Sequence, residues 1–181
     1  MSAEDRRVIK TKRAISTAFR RLMKKQDFKD ISVNDVTAQA GISRTTFYHH
    51  YADKYDWLET TIRDTLAKYT VGTHITDLHD KDLVIRNLTH LFRSIANDPQ
   101  LCALIMANEN HQLIYQFFLN TMMTQFREMY DSSAQLSPTE SLTAHYIATS
   151  LSAYIDWWVR NPNLFTPEQL MQCIESFHHM S

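Results

Sequence analysis

Residues 31–58 read ISVNDVTAQAGISRTTFYHHYADKYDWL, and this stretch decides the fold of the amino-terminal part of the chain. Ser32 is a favourable helix N-cap, and Asp35 follows three residues later, as in a capping box. Gly41 supplies the left-handed backbone conformation that commonly ends a helix. Ser43 is then a second N-cap. The stretch therefore predicts two short helices joined by a tight turn, the second of about seven residues, which is a helix-turn-helix.

The segments on both sides of this motif are also predicted to be helical. Upstream, a helix over about Arg7–Gln26 carries apolar side chains at helical spacing, namely Ile15, Ala18, Phe19 and Leu22. Downstream, Asp53 caps a helix that ends near Tyr69. Further helices are predicted at about 82–97, 99–107, 110–130, 138–160 and 167–179. The last two begin with the strongest boundary signals in the chain, because Ser137-Pro138 and Thr166-Pro167 combine a hydroxyl cap with a first-turn proline.

The composition excludes several classes of protein. Two glycines in 181 residues leave no P-loop, no dinucleotide-binding fingerprint and no nucleophile elbow. Two cysteines are too few for a secreted disulfide scaffold, and no apolar run reaches the length of a membrane helix. We therefore expect an all-α protein of about nine helices that is cytoplasmic.

Charge divides the chain into two parts. Residues 1–69 have a net charge of +5 and residues 70–181 a net charge of −6. A polar stretch at 71–80, which contains Gly72, lies between them. We predict a basic domain at 1–70 that meets a polyanion and an acidic helical domain at 71–181. The alternative is that these lysines and arginines lie on a solvent-exposed helix face and bind no partner, which would explain any single basic cluster.

The second helix of the motif has side chains suited to DNA. Arg44 is the residue type that best makes a bidentate contact with guanine, and the hydroxyls of Thr46 and Tyr48 suit phosphate oxygens. Lys54 lies at the start of the next helix, where free N–H groups also favour a phosphate. Phe47 is predicted to point inward as the apolar anchor of this helix.

The same segment resembles the DNA-binding domain of the TetR family of bacterial transcription regulators. The resemblance rests on Ala40-Gly41-Ile42-Ser43, on the aromatic run Phe47-Tyr48-His49-His50-Tyr51, and on Lys54 and Leu58. The family pattern often has Phe where Tyr51 stands. By resemblance, the DNA contacts fall on Ser32, Asn34, Arg44, Thr45, Thr46, Tyr48, His49 and Lys54. Arg44 and Thr45 are expected on bases and His49 on either bases or phosphates. Phosphate contacts are expected for Ser32, Thr46, Tyr48 and Lys54, whereas His50 is expected to pack against neighbouring helices.

The resemblance also has implications for residues 71–181. It implies a small carboxy-terminal domain and a homodimer in which helices 138–160 and 167–179 form a four-helix bundle with those of the partner. Such a dimer reads a palindromic operator in double-stranded DNA. The family is most often repressive, and a small-molecule effector releases the DNA. Core packing within one subunit is the alternative explanation of the apolar side chains on these two helices.

No effector-binding residue is assigned from the sequence. The candidates among the middle helices are Phe92, Met106, Tyr115, Phe118, Met122 and Tyr146, with His90, His111 or His145 as polar partners. A set of this kind is more often ordinary core. With no dominant charge among them, an apolar or aromatic effector is expected.

Three other functions can be compared with the sequence: protein docking, catalysis and metal or cofactor binding. A TetR-like regulator whose carboxy-terminal domain docks a protein, as a ligand-independent or activator-type regulator, would have a closed core without a cavity. An enzyme is not expected, since Glu109, Glu128 and Asp156 fit no catalytic pattern. No metal site and no cofactor are expected, because the sequence has no Cys-x-x-Cys and no His-x-x-x-His pair.

Overall fold

The computed structural model describes residues 3–70, 80–107, 112–129 and 136–179, which form nine α-helices and a short 3₁₀ helix, with no strand. The α-helices are α1 (Ala3–Leu22), α2 (Val33–Ala40), α3 (Arg44–Tyr48), α4 (Lys54–Thr70), α5 (Lys81–Ala96), α6 (Pro99–Ala107), α7 (Gln112–Met129), α8 (Pro138–Arg160) and α9 (Pro167–His179). The 3₁₀ helix is Phe28–Asp30. The predicted all-α class is confirmed.

The chain divides into two compact units, Met1–Thr61 and Ile62–Ser181. The division between them falls inside α4. The predicted functional boundary at residue 70 stays a prediction, and the polar segment at 71–79 on which it depends lies outside the described residues.

The first unit is built on α1. Ile15, Ala18 and Phe19 are buried, as their helical spacing predicts. The helix begins at Ala3 and ends at Leu22, four residues earlier at each end than the sequence indicates. The difference at the end arises because the backbone N–H groups of residues 23, 25 and 26 still donate to carbonyls of α1, so the segment continues as turns.

Helix α3 is also shorter than predicted, at five residues instead of about seven. The N–H groups of His49 and His50 donate to the carbonyls of Thr45 and Phe47, and that of Tyr51 also donates to Phe47. The chain thus keeps turn-like hydrogen bonds after the regular helix has ended, which accounts for the overestimate.

In the second unit α7 packs along α8, where Met122, Phe126 and Ala144 form a buried cluster. Both predicted proline-containing starts are confirmed. The Ser137 hydroxyl accepts from the Glu140 N–H, and the Glu140 carboxylate accepts from the Ser137 N–H. Thr166 and Gln169 exchange the equivalent pair of hydrogen bonds at α9.

Two side-chain contacts link other helices of the second unit. Arg93 Nε on α5 donates to Glu168 Oε1 on α9 over 2.6 Å, and this hydrogen bond lowers the pKa of the Glu168 carboxyl. Tyr69 on α4 donates its hydroxyl to Asp98 over 2.8 Å, and Asp98 in turn caps the first N–H groups of α6. Among the described residues, no helix is both long enough and apolar enough to span a bilayer.

Candidate nucleic-acid interface

Three local features of the backbone and its caps fix the turn between α2 and α3. Ser32 caps α2 through a reciprocal capping box, and its hydroxyl donates to Asp35 Oδ2 over 2.6 Å. The hydrogen bonds from the Ser32 side chain and backbone lower the pKa of the Asp35 carboxyl. Gly41 has φ of 66°, in the left-handed region, and Ser43 accepts from the Thr46 N–H to start α3. The predicted helix-turn-helix is confirmed.

The orientation of α3 is set by one buried aromatic side chain. Phe47 is fully buried, and its ring centroid lies 6.4 Å from that of Phe19 on α1. Phe19 stacks in turn on Trp57 of α4 at 3.7 Å, and the Trp57 indole N–H donates to Ser16 over 3.3 Å. Tyr51 is also buried beside Phe47, at 5.9 Å. These ring contacts hold α3 against α1 and α4. They confirm the prediction that Phe47 points inward and anchors the helix.

The side of α3 opposite Phe47 faces solvent. Successive residues of an α-helix are about 100° apart, so Thr45 and His49 lie opposite Phe47. Arg44 and Tyr48 lie to one side of them, and all four are exposed. The Arg44 guanidinium is 5.9 Å from the centroid of the Tyr48 ring. The short helix therefore presents a guanidinium, a phenol, a hydroxyl and an imidazole on one accessible surface.

The remaining predicted site residues lie at the edges of this surface. Asn34 is exposed on the first turn of α2, one residue after Val33 begins that helix. Ser32 is exposed too, although its hydroxyl is already engaged with Asp35. Thr46 is half-buried, with its hydroxyl 2.8 Å from that of Ser43. A contact of Ser32 or Thr46 with a phosphate would therefore use a hydroxyl that also shapes a helix start.

Lys54 has a structural position that the sequence did not indicate. Its Nζ donates to the carbonyls of Phe28, Lys29 and Ile31 over 3.1, 2.6 and 2.9 Å. An ammonium group has three donors, so these bonds use all of them. Lys54 thereby ties the start of α4 to the 3₁₀ helix and to the residue before Ser32. Its predicted contact with a phosphate stays a prediction and would require these bonds to open.

Positive charge surrounds the motif on the first unit. Six basic side chains of α1 and the turn after it are exposed: Lys12, Arg13, Arg20, Arg21, Lys24 and Lys25. His50 is half-buried, and its pKa is lowered by desolvation and by the neighbouring His49 and Lys12. The positive potential of these exposed lysines and arginines favours approach of a polyanion.

The second unit contains a cavity of about 160 Å³ among α5, α7, α8 and α9, with Thr70 of α4 at its edge. Of the residues proposed from the sequence, three line it: Phe118, Met122 and Tyr146. The described lining does not include Phe92, Met106, Tyr115, His90 or His145. His111 lies outside the described residues. The sequence did not single out Asn87 of α5, whose side chain also lines the cavity.

An exposed apolar stripe runs along α8. Leu142 is 71% exposed, Tyr146 59% and Trp157 46%, and Ala153 is exposed between the last two. The spacing of 4, 7 and 4 residues places all four on one face of the helix. Large apolar side chains aligned in this way are typical of a surface that another helix covers.

The described residues bring no three His, Cys, Asp or Glu side chains together as a metal-binding group. Cys102 and Cys173 are both free thiols, and burial raises the pKa of the Cys102 thiol.

Comparisons with known proteins agree with this arrangement. The family model described as bacterial regulatory proteins, tetR family, matches residues 15–60. The uncharacterized HTH-type transcriptional regulator YxbF of Bacillus subtilis is 26% identical over 92% of the chain. The chain spans only 44% of the length of that relative.

Solved structures share the fold across both units. A TetR transcriptional regulator from Streptococcus agalactiae covers 93% of each chain, with a TM-score of 0.60 and 23% identity. The dihydroxyacetone kinase operon activator DhaS covers 94% of this chain and 93% of its own, with a TM-score of 0.57 and 18% identity. The helix-turn-helix seen in the structure is thus matched by the TetR family model over residues 15–60, and the chain shares its fold with solved TetR-type regulators.

Proposed function

We propose that the protein is a dimeric repressor that binds a palindromic operator through α3 and is released by a small-molecule effector. The observation that carries this proposal is the exposed face of α3, held in place by buried Phe47. Arg44 and Thr45 are assigned to base edges, and His49 to bases or phosphates. Phosphate contacts are assigned to Ser32, Thr46 and Tyr48, and Asn34 is a further DNA contact. A phosphate contact by Lys54 stays a prediction from the sequence, because three backbone carbonyls use its donors.

The exposed surface of α3 is small, which supports a dimer. A five-residue helix offers few side chains to one half-site, whereas specific DNA affinity needs a larger interface. A two-fold dimer doubles these contacts on a palindrome. The exposed stripe of Leu142, Tyr146, Ala153 and Trp157 supports pairing through α8, with α9 beside it as the sequence predicts.

Release by a small molecule is supported by the cavity in the second unit. A domain that served only to dock a protein would be expected to have a closed core, whereas this one has a partly open cavity of about 160 Å³. The cavity therefore favours a small-molecule effector over a protein partner. The chain is expected to act by binding alone, without enzymatic activity.

DNA binding is tested by selecting sequences from a random duplex library with the purified protein, then titrating the selected duplex at several salt concentrations. We expect two protomers per site and a strong salt dependence. Arg44→Ala should lower specific affinity by at least tenfold, since a bidentate guanine contact contributes about 1–3 kcal/mol of discrimination. Arg86→Ala, at an exposed arginine of α5, is the matched control and should bind normally. Full specificity of the Arg44 variant would refute the assignment.

The dimer is tested by introducing charge into the stripe. The double variant Leu142→Glu, Trp157→Glu should sediment as a monomer and lose operator binding, because two buried carboxylates would oppose pairing. Met106→Glu places the same charge at another exposed apolar position, on α6, and should remain dimeric. Sedimentation of the double variant as a dimer would exclude α8 as the interface.

The sign of regulation is a separate question, because the dihydroxyacetone kinase operon activator DhaS has the same fold. A reporter gene placed downstream of the selected operator decides it. Repression predicts lower expression when the regulator is present, and higher expression would make the protein an activator.

A further inference from the structure

We propose that the cavity of the second unit binds an uncharged molecule with a single aromatic ring and one short hydrogen-bond acceptor group, such as an aryl ketone or aryl amide. This inference rests on the proposed function only for the role of that molecule as the effector. The binding itself depends on three properties of the cavity: its volume, its lining and one buried amide.

The volume limits the ligand to about one ring. The cavity measures about 160 Å³. A dry engineered protein cavity of about 150 Å³ accommodates benzene. A ring with a substituent of two or three heavy atoms therefore fits, whereas fused ring systems do not fit without movement of the surrounding helices.

The lining indicates an apolar and uncharged ligand. Its walls are formed chiefly by apolar side chains such as Leu88, Leu91, Phe118, Met122 and Ile147. Phe118 provides a ring for aromatic contact, and the Met122 thioether is favourable beside an aromatic ligand. No Asp, Glu, Lys, Arg or His contributes to the described lining. A charged ligand would lose its hydration without gaining an ionic partner, and this cost opposes its binding.

The Asn87 amide contributes a hydrogen-bond donor to this wall that has no acceptor among the described residues. The amide Nδ2 of Asn87 is buried and has no hydrogen-bond acceptor. Two hydroxyls of the same lining donate within their own helices, Thr121 to the carbonyl of Phe117 over 2.8 Å and Thr70 to that of Leu66 over 3.2 Å. A buried donor without an acceptor is destabilising, and few occur in folded proteins. Because Nδ2 itself is buried, the Asn87 side chain would turn toward the cavity, where a carbonyl oxygen of the ligand would satisfy its amide.

The proposal is tested with three probes of nearly equal size: acetophenone, ethylbenzene and benzoate. Acetophenone has the ring and the acceptor, ethylbenzene lacks the acceptor, and benzoate carries a charge. Their binding to the DNA-free protein is measured by ligand-observed NMR titration. We expect acetophenone to bind about tenfold more tightly than ethylbenzene, because a ligand without an acceptor leaves the Asn87 amide unsatisfied. Benzoate should not bind.

Variants assign the effect to the amide. Asn87→Leu removes the donor at similar volume, so it should weaken acetophenone about tenfold and strengthen ethylbenzene. A gain for ethylbenzene is a result that an unfolded protein cannot give. Asn120→Leu, on the exposed side of α7, is the matched control and should leave both affinities unchanged. Equal affinity for acetophenone and ethylbenzene in the natural protein, or tight binding of benzoate, would overturn the proposal.

The role of the ligand is measured separately. Acetophenone is titrated into the complex of the protein with its selected operator, and release of DNA that is lost in Asn87→Leu supports both the ligand class and its role as effector. Binding of acetophenone without release supports the ligand class and overturns the effector part of the proposed function. Failure of the protein to select any DNA overturns the proposed function and leaves the measurements on the DNA-free protein as an independent result.

Discussion

Replacing Lys54 with methionine should destabilise the first unit while leaving the salt dependence of DNA binding unchanged. Methionine keeps much of the apolar stem beside the rings of Phe28 and Tyr55, whose centroids lie 5.2 and 5.3 Å from the ammonium. It removes the hydrogen bonds to the carbonyls of Phe28, Lys29 and Ile31. The variant therefore tests the ammonium group with little change in packing.

The expected loss of stability follows from these three bonds. The bonds to Phe28 and Ile31 are partly buried, whereas the bond to Lys29 is exposed. If each partly buried bond contributes about 1 kcal/mol and the exposed bond contributes little, the free energy of unfolding falls by about 2 kcal/mol. Lys54→Arg should recover only part of this, because a planar guanidinium cannot direct its donors at three converging carbonyls.

Urea unfolding and DNA titration together separate the two roles of Lys54. Lys24→Met, at an exposed lysine of the same unit, is the control for loss of charge and should unfold like the natural protein. A phosphate contact by Lys54 would lower the slope of log affinity against log salt by about 0.9 for each protomer. We expect a lower unfolding midpoint and an unchanged slope. An unchanged midpoint with a reduced slope would refute the structural role and support the phosphate contact predicted from the sequence.

Three further results are expected. Gly41→Ala should lower the free energy of unfolding in urea by about 1 kcal/mol, because the backbone is left-handed there, although a Cβ atom would meet nothing within 4 Å. Gly41→Asn should cost less, and an Ala variant as stable as the natural protein would contradict this prediction. Burial and the Asp98 carboxylate raise the pKa of Tyr69 to about 12, so this interaction stabilises the fold below pH 10 and is lost as the pH rises from 10 to 12. Tyr69→Phe should therefore remove the latest-titrating step in absorbance at 295 nm, and its persistence would assign that step to another tyrosine. Ser137→Ala should lower the unfolding free energy by about 1 kcal/mol through loss of the N-cap at Glu140, and no shift in midpoint would show that the cap is dispensable.

Local signals in the sequence were sufficient for the motif and for the capped helix starts, whereas α1 begins four residues before its predicted start. Ser32, Ser137 and Thr166 act on backbone groups within three residues, so their roles depend little on the rest of the fold. The inward direction of Phe47 was also predictable, because it is the apolar side chain within a polar segment. The ends of α1 and α3 were less accurate, since turn hydrogen bonds continue the helical pattern beyond each regular helix.

Contacts between distant residues were not predictable in this way. Lys54 meets carbonyls that are more than twenty residues away, and nothing in its own neighbourhood signals their direction. Asn87 was missed because a single amide among apolar residues gives no recognisable sequence pattern. Only the folded structure places it in the same cavity lining as Phe118 and Ile147. Helical spacing identified part of the cavity lining, and tertiary packing determined the rest.

Different side chains of α3 hold the helix in place and face solvent, and this separation has an evolutionary consequence. Phe47 secures the helix to the core, whereas Thr45 and His49 on the opposite side are exposed and add little to folding energy. If these two side chains contact bases as proposed, mutations there would change the preferred operator at almost no cost in stability. A lineage that duplicates such a gene can move to new target sequences through neutral intermediates, and a library randomised at Thr45 and His49 should consist almost entirely of folded regulators.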